Sequence, residues 1–146
     1  MATTPCRSRP GRTQPTQPAP RLETTYPGLL DQARNMRPAI RSFLVGCPVA
    51  DDVTAVVWEL AANACRHSHS GLPSGRFAVR IHDFPGAYVY ADVHDQGSAW
   101  DGDLDKAARH PHGLYLLQQL ATTYGTAGGH HGWIIWFTIS YPRTAP

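Results

Sequence analysis

Three polar residues recur at four-residue intervals in a stretch that otherwise has the composition of a buried helix. Glu59, Asn63 and His67 lie in the segment 59–68, among alanines and a leucine. Residues four apart lie on one face of a helix, so these side chains are predicted to form one polar stripe. Beside it the sequence predicts an apolar stripe that faces a core, made of Val53, Val56, Val57, Leu60 and Ala64.

The polar stripe has an unusual chemistry for a helix face. A solvated face normally carries Lys, Arg and Glu, whereas this one carries groups suited to a metal ion and to a proton. The oxygen of Asn63 is a neutral ligand for a hard cation such as Mg²⁺, and Glu59 can act as a general base. The alternative is an ordinary amphipathic core helix, and this segment alone does not decide between the two.

A second segment with ligand-binding character follows an alternating, β-rich stretch at residues 87–94. It reads Asp95-Gln96-Gly97. A carboxylate at the end of a strand can accept a hydrogen bond from an exocyclic amine, and Gly97 would let a ligand approach the backbone closely. The alternative is a tight turn that is capped by the aspartate.

A third segment begins at Gly113-Leu114 and continues as an apolar run of helical character. Helix N-termini carry free N–H groups and the positive end of the helix dipole, and they favour phosphate. The alternative is an ordinary entry from a loop into a helix. The segment therefore indicates phosphate binding only because it follows the other two segments in the chain.

In this order the three segments resemble the Bergerat-fold ATP-binding domains, which gyrase, mismatch-repair ATPases, heat-shock chaperones and sensor histidine kinases share. Within that superfamily the chain resembles the small bacterial anti-sigma-factor serine kinases and their single-domain ATP-binding relatives. The resemblance covers residues 22–142. It is carried by Glu59-x-x-x-Asn63-Ala64-x-x-His67-Ser68, by Asp95-x-Gly97, by Gly113-Leu114 and by a terminal strand at residues 132–139.

The resemblance implies an α+β fold, a two-layer sandwich in which helices cover one face of a mixed, mostly antiparallel sheet. It also implies ATP and Mg²⁺ as ligands. Asn63 would bind the metal ion, Asp95 would accept from the adenine amine, and Arg66 or His67 would add positive charge near the phosphates. The segments around Gly97 and Gly113-Leu114 would approach the nucleotide closely. Glu59 would take the proton from an attacking serine hydroxyl.

By the same resemblance that serine belongs to an anti-anti-sigma protein, the kinase also binds a sigma factor, and a homodimer is left open. The chain departs from the family pattern at Pro111, at Ile134 and at Ser98-Ala99. Proline lacks an N–H, so one phosphate donor is missing. These departures favour a first alternative, an ATP-binding regulatory module without catalysis. A second is a detached histidine-kinase catalytic domain.

Composition is consistent with one modest domain. The chain has 146 residues and a formal net charge of +2, which is too small to argue for direct binding of nucleic acid. Cys6, Cys47 and Cys65 are odd in number and scattered, so reduced thiols and a cytoplasmic location are expected. No apolar run approaches the length of a membrane span. Residues 1–21 are rich in Pro, Thr and Arg and are predicted to be a disordered tail, and residues 22–146 the ATP-binding domain.

Local signals predict the path of the chain within that domain. An edge strand is expected at residues 22–26 and a helix at 29–44 with a kink at Pro38. Asp51 or Asp52 is expected to cap the next helix, which would run to His67. Further strands are predicted at 76–82, 87–94, 124–126 and 133–141, a turn at Gly128-Gly129, a helical turn at 104–109 and a helix at 113–122.

Overall fold

A computed structural model describes residues 20–109 and 114–143. Within these ranges the chain forms five strands, five α-helices and one 3-10 turn at His69–Gly71. The predicted tail lies outside the described residues except at its end, where Arg21 begins the first strand. The elements are β1 (Arg21–Pro27), α1 (Leu30–Ala33), α2 (Met36–Phe43), α3 (Ala50–His67), β2 (Arg76–Phe84), β3 (Tyr88–His94), α4 (Leu104–Ala108), α5 (Tyr115–Leu120), β4 (Thr123–Gly129) and β5 (Gly132–Ser140).

The strands form one sheet in the order β1-β2-β3-β5-β4. All four described pairings are antiparallel. β1 lies at one edge, where the sequence predicts an edge strand, and β4 lies at the other. The central strand β3 ends at His94, so Asp95 directly follows the middle strand of the sheet.

Alternating burial along the strands shows which face of the sheet carries the core. Every second residue of β5 is buried, and β2 has the same period, as expected for a sheet with one covered face. The longest helix, α3, contacts β2, β3 and β5 on that face. The expected α+β two-layer sandwich is confirmed. Its core includes Phe77, Val79, Ile81, Val89, Ala91, Ile135, Phe137 and Ile139 from the sheet and Val53, Val56, Val57, Leu60 and Ala64 from α3.

Helix α3 spans Ala50–His67 and ends at the residue that the sequence predicts. Its predicted cap is wrong. Val49 occupies the N-cap position and makes no side-chain hydrogen bond, while Asp51 and Asp52 lie inside the first turn. There they stabilise the helix through the positive end of its dipole and not by accepting from an N–H group.

The predicted helix at residues 29–44 is two helices, α1 and α2, and the chain breaks at Arg34-Asn35. Pro38 is not the kink. It lies in the first turn of α2, where a missing N–H removes no intrahelical hydrogen bond. The predicted kink at Pro38 is therefore wrong, and the break lies before the proline, at Arg34-Asn35.

Two boundaries differ near the end of the chain. Gly128 and Gly129 belong to β4, and the turn into β5 is formed by His130-His131. Gly128 has a φ of +92°, and a Cβ there would lie 2.0 Å from the Gly132 carbonyl oxygen. Gly128 is therefore required by its backbone conformation and by the close approach of β5, whereas a Cβ at Gly129 would meet no atom within 4 Å. The described helix α5 is shorter than the predicted 113–122.

Candidate functional site

Helix α3 carries the polar stripe as the sequence predicts. Glu59 and Asn63 are partly buried, while Arg66 and His67 are exposed in its last turn. The neighbouring apolar stripe is buried, including Val56 and Leu60. The four-residue spacing therefore produces a polar stripe along the edge of the core. Its residues are exposed at His67 and partly buried at Asn63 and Glu59.

The Glu59 carboxylate holds the beginning of helix α5. Its Oε2 accepts a hydrogen bond from the Leu116 N–H at 2.8 Å, and its Oε1 accepts from the Leu117 N–H at 3.0 Å. N–H groups in the first turn of a helix have no intrahelical partner, so a carboxylate is a good acceptor for them. Glu59 thereby ties α3 to a helix 57 residues further along the chain.

Two opposing influences act on the proton affinity of Glu59. Burial raises the pKa of its carboxyl above the ordinary value of 4.5, and the hydrogen bonds from Leu116 and Leu117 offset part of that rise. Burial is the larger influence because it removes water from a charged group. A carboxylate with a raised pKa is a better proton acceptor, so the environment of Glu59 suits a general base.

The predicted segment Gly113-Leu114, which precedes α5, is described only in part. Gly113, with Pro111 and His112, lies outside the described residues. Leu114 is 1% exposed and packs in the core next to Leu117 of α5, which is fully buried. Only the backbone of Leu114 can therefore face a ligand, because its side chain anchors the start of α5 in the core.

Asp95 follows β3 and turns its side chain to the helix-covered face. Its Oδ1 accepts from the Gly97 N–H at 2.7 Å and from the Trp133 N–H at 3.1 Å. The Asp95 N–H in turn donates to the Trp133 carbonyl oxygen at 2.9 Å. A carboxylate can accept about four hydrogen bonds, so these contacts orient the group through Oδ1 and leave acceptor capacity on Oδ2.

Gly97 is required by the protein's own backbone. Its φ is +97°, and a Cβ there would lie 1.9 Å from the His130 carbonyl oxygen in the β4–β5 turn. Only glycine adopts that φ without strain and leaves room for this contact. The sequence predicts that a ligand approaches the backbone closely at Gly97. In the structure the group that approaches it closely is the turn between β4 and β5.

A hydrogen-bonded loop, which sequence reasoning missed, joins the end of α3 to Asp95-Gln96-Gly97. The His69 N–H donates to the Gly97 carbonyl oxygen at 2.9 Å. The Gln96 N–H donates to Ser70 Oγ at 2.9 Å. Ser70 is fully buried although it follows two exposed or half-exposed polar residues. No local pattern marks it, because its partner is a backbone group 26 residues away.

Two tryptophans cover the same end of the sheet. Trp133 is 8% exposed, and its ring centroid lies 5.0 Å from that of Trp100 in an edge-to-face arrangement. The Trp133 Nε1–H donates to the Ser98 carbonyl oxygen at 3.4 Å. The segment after Gly97 is therefore packed onto β5 next to Asp95. The sequence shows the tryptophan of this segment, Trp100, but does not show that its partner is Trp133.

The structure thus connects α3 and the residues that follow it to the two segments that carry other predicted residues. Glu59 meets the start of α5, and the continuation of α3 beyond His67 meets the loop of Asp95 and Gly97. Among residues 20–109 and 114–143, no group of three or more His, Cys, Asp or Glu side chains could hold a metal ion.

Comparison with known proteins identifies the fold family. Residues 26–139, most of the chain, match the profile of the histidine kinase-like ATPase domain. The chain belongs to this family. No curated protein matches it.

Among solved structures, this histidine kinase-like ATPase domain is similar to the crystal structure of the RsbU and RsbW domains of Rv1364c from Mycobacterium tuberculosis. The TM-score is 0.63 at 21% sequence identity. The match covers 86% of this chain and 33% of that one, so the chain spans about a third of the length of the protein it matches. At this identity the likeness shows the fold.

Domains of the histidine kinase-like ATPase family bind ATP, typically with Mg²⁺. The chemistry of the described donors fits such a pair. Asn63 offers one neutral oxygen, and Mg²⁺ usually takes one or two protein ligands together with substrate phosphates and water. None of the described helices combines the length and the apolar character that crossing a bilayer requires.

Proposed function

We propose that this ATPase domain is a protein serine/threonine kinase of the anti-sigma-factor type. It uses ATP and Mg²⁺ to phosphorylate an anti-anti-sigma protein, and it also binds a sigma factor. The observation that carries the proposal is the partly buried Glu59 carboxylate with a raised pKa, one helical turn from Asn63. The sequence resemblance and the RsbW domain in the similar structure support the choice of partners. These partners place the protein in the cytoplasm.

Each proposed role follows from the chemistry of the side chain. Asn63 holds Mg²⁺ through its amide oxygen. Asp95, oriented through Oδ1, accepts from the adenine amine, and guanine presents an acceptor at that position and is disfavoured. Arg66 and His67, exposed in the last turn of α3, supply positive charge for phosphates. The backbone of Gly113-Leu114 allows close approach of the nucleotide, and Gly97 lets the loop of Asp95 pack against the β4–β5 turn.

Glu59 is proposed to take the proton from the serine hydroxyl of the partner. Both of its oxygens already accept backbone N–H groups, yet each retains a further lone-pair site. The same hydrogen bonds hold the carboxylate in one orientation. Orientation matters here because phosphoryl transfer depends mostly on positioning and charge neutralisation.

A second function is favoured by one specific observation. Because Glu59 caps α5, its presence has a structural reason that is independent of proton transfer. The chain could therefore be a regulatory module in which ATP sets the shape presented to a partner, without catalysis. A homodimer belongs to either proposal, and neither depends on it.

The decisive experiment separates the two roles of Glu59. Glu59→Gln removes the base, but it also weakens the cap, because a carboxamide has one acceptor oxygen where the carboxylate has two. Leu116→Pro removes one donor of the cap and leaves the carboxylate intact, and proline is tolerated in the first turn of a helix. Each variant is compared with the wild type for ATP binding by calorimetry and for transfer of labelled phosphate to an anti-anti-sigma protein.

For a kinase, Glu59→Gln lowers the transfer rate by about a hundredfold or more, the scale of a lost general base. Leu116→Pro lowers it by less than about tenfold, because one of two hydrogen bonds remains. Equal losses in both variants would assign Glu59 to the cap alone. Intact ATP binding with no transfer by the wild type, to a partner shown to bind it, would favour the regulatory module.

A further inference from the structure

We infer that Ser70 is a positioning residue that sets the base selectivity of the nucleotide site through Asp95. This inference rests on the proposed function, since it assigns Asp95 to the adenine amine. Ser70 itself contacts no nucleotide in this account. It acts by fixing the loop on which Asp95 stands.

The loop is held at each of its three residues. Asp95 is bound through Oδ1 by the N–H groups of Gly97 and Trp133. The Gly97 carbonyl oxygen accepts from His69 at 2.9 Å. Between them, the Gln96 N–H has Ser70 Oγ as its acceptor, also at 2.9 Å. Removal of the hydroxyl therefore releases the middle of the loop.

Ser70 is itself fixed to the end of α3. Its N–H donates to Ser68 Oγ at 3.0 Å, and that hydroxyl donates to the Ala64 carbonyl oxygen at 2.7 Å. Ala64 is the neighbour of Asn63, so a short chain of hydrogen bonds runs from the stripe that carries the proposed metal ligand to the loop of Asp95. Such a chain sets the spacing between the two groups that would hold opposite ends of one nucleotide.

Close backbone packing prevents Ser70 from moving independently. A Cβ at Gly28 would lie 1.6 Å from the Ser70 carbonyl oxygen, and one at Gly75 would lie 2.0 Å from it. The Gly28 N–H also donates to the Gly75 carbonyl oxygen at 3.0 Å. The backbone at Ser70 is thus enclosed by β1 and by the entry to β2, which makes it a rigid support.

The energetics favour an effect on position over an effect on folding. Ser70→Ala leaves the Gln96 N–H without its acceptor, which would destabilise the fold if that N–H stayed buried. Gln96 is exposed, however, so its N–H can turn to water when the loop shifts. The shift of the loop changes the orientation of the Asp95 carboxylate. The main effect of the lost hydrogen bond is therefore on this orientation and not on folding.

The test compares the full chain with Ser70→Ala for binding of Mg-ATP and Mg-GTP by calorimetry. The preference for ATP, the ratio of the two dissociation constants, is expected to fall by about tenfold, the scale of one misaligned hydrogen bond. Amide hydrogen exchange at Gln96 should accelerate in the same variant. Asp95→Asn, measured alongside, is expected to lose the preference for ATP over GTP completely and sets the lower limit of the scale.

Thr54→Val is the matched control. Thr54 is also buried, and its Oγ1 donates to the Ala50 carbonyl oxygen at 2.7 Å on the same helix. Loss of that hydroxyl should lower stability and leave the ATP preference unchanged. If Ser70→Ala does not fold, Gln96→Ala is measured in its place. This variant removes the hydrogen bond that the Arg76 N–H donates to Gln96 Oε1 at 2.8 Å on the exposed side of the loop. It should also lower the preference for ATP over GTP.

The outcomes separate the inference from the proposed function. If the wild type binds no nucleotide, the proposed function fails and the inference fails with it. If the wild type prefers ATP and Ser70→Ala, or Gln96→Ala in its place, keeps that preference, only the role of Ser70 is overturned. A loss of preference in Thr54→Val as large as that in Ser70→Ala would also overturn it, because any lost hydroxyl would then have the same effect.

Discussion

Single residues at this site serve the scaffold and the proposed chemistry at the same time. Glu59 is the clearest case, since its carboxylate holds α5 in place and is also the proposed base. Gly97 is similar, because its conformation is required by contact with the β4–β5 turn. A substitution at either residue therefore changes structure and function together, and only a paired variant can separate them.

The raised pKa of Glu59 predicts a specific dependence of stability on pH. A carboxyl whose pKa is higher in the folded state binds its proton more tightly there than when unfolded. Its contribution is fully present below the unfolded pKa, near 4.5, and is lost as the pH rises through the folded pKa. Relative to Glu59→Gln, the wild type should therefore become less stable between pH 4.5 and the higher folded value.

Denaturant unfolding of both proteins across that pH range measures this difference, and other ionisable groups cancel in the comparison. The opposite result would be a wild type whose free energy of unfolding rises relative to that of Glu59→Gln as the pH rises. In that case the hydrogen bonds from Leu116 and Leu117 outweigh burial, and the folded pKa of Glu59 is depressed.

Between elements, a partly buried ion pair joins β2 and β3 on the sheet. Asp92 of β3 is fully buried on the face that the helices do not cover, opposite Arg80 of β2. Arg80 Nε and Nη2 donate to its two carboxylate oxygens at 2.9 and 2.7 Å, and the Tyr90 hydroxyl donates at 2.8 Å. Burial, aided by this bond to Asp92, raises the pKa of Tyr90 to about 12.

The burial of Asp92 predicts an asymmetry between the two sides of this ion pair. Arg80→Met keeps the aliphatic cover but leaves a buried carboxylate without its cation, which should lower the free energy of unfolding by about 3 kcal/mol. Asp92→Asn should cost less, because 40% of the Arg80 side chain is exposed and water can solvate it. Urea unfolding of both variants measures the difference, and equal losses would contradict the assignment of Asp92 as the costly partner.

Across the whole molecule, α3 is the element to which the site residues are attached. It packs on the central strands, binds the start of α5 through Glu59 and continues into the loop that holds Asp95. A ligand that contacts both Asn63 and Asp95 would therefore join parts of the chain that unfold together. Binding should appear as stabilisation of the entire fold.

Mg-ATP at about 100 times its dissociation constant should stabilise the protein by about 2.7 kcal/mol. In Asn63→Ala most of the part that depends on Mg²⁺ should disappear. Asn35→Ala, the same change at an exposed position between α1 and α2, is the control and should respond like the wild type. Thermal unfolding with ATP, with and without Mg²⁺, measures the effect, and an unchanged response of Asn63→Ala would remove Asn63 as the metal ligand.

The sequence by itself determined the elements and the faces that they bury. Four-residue spacing along residues 59–67 predicted a helix with a polar edge, and alternation predicted β3, because a regular element repeats its environment at a fixed period. The order of the three short segments was sufficient to predict the fold family. Boundaries were less accurate, as at Arg34-Asn35, where one predicted helix is two.

Only the tertiary structure decided which atoms the polar side chains contact. Glu59 binds the N–H groups of Leu116 and Leu117, Ser70 binds that of Gln96, and Gly97 accommodates the carbonyl of His130. Each partner is a backbone group far away in sequence. Every residue type except proline offers the same N–H, and all offer the same carbonyl, so no side-chain pattern in the sequence marks the partner. The fold selects it by bringing two distant segments together.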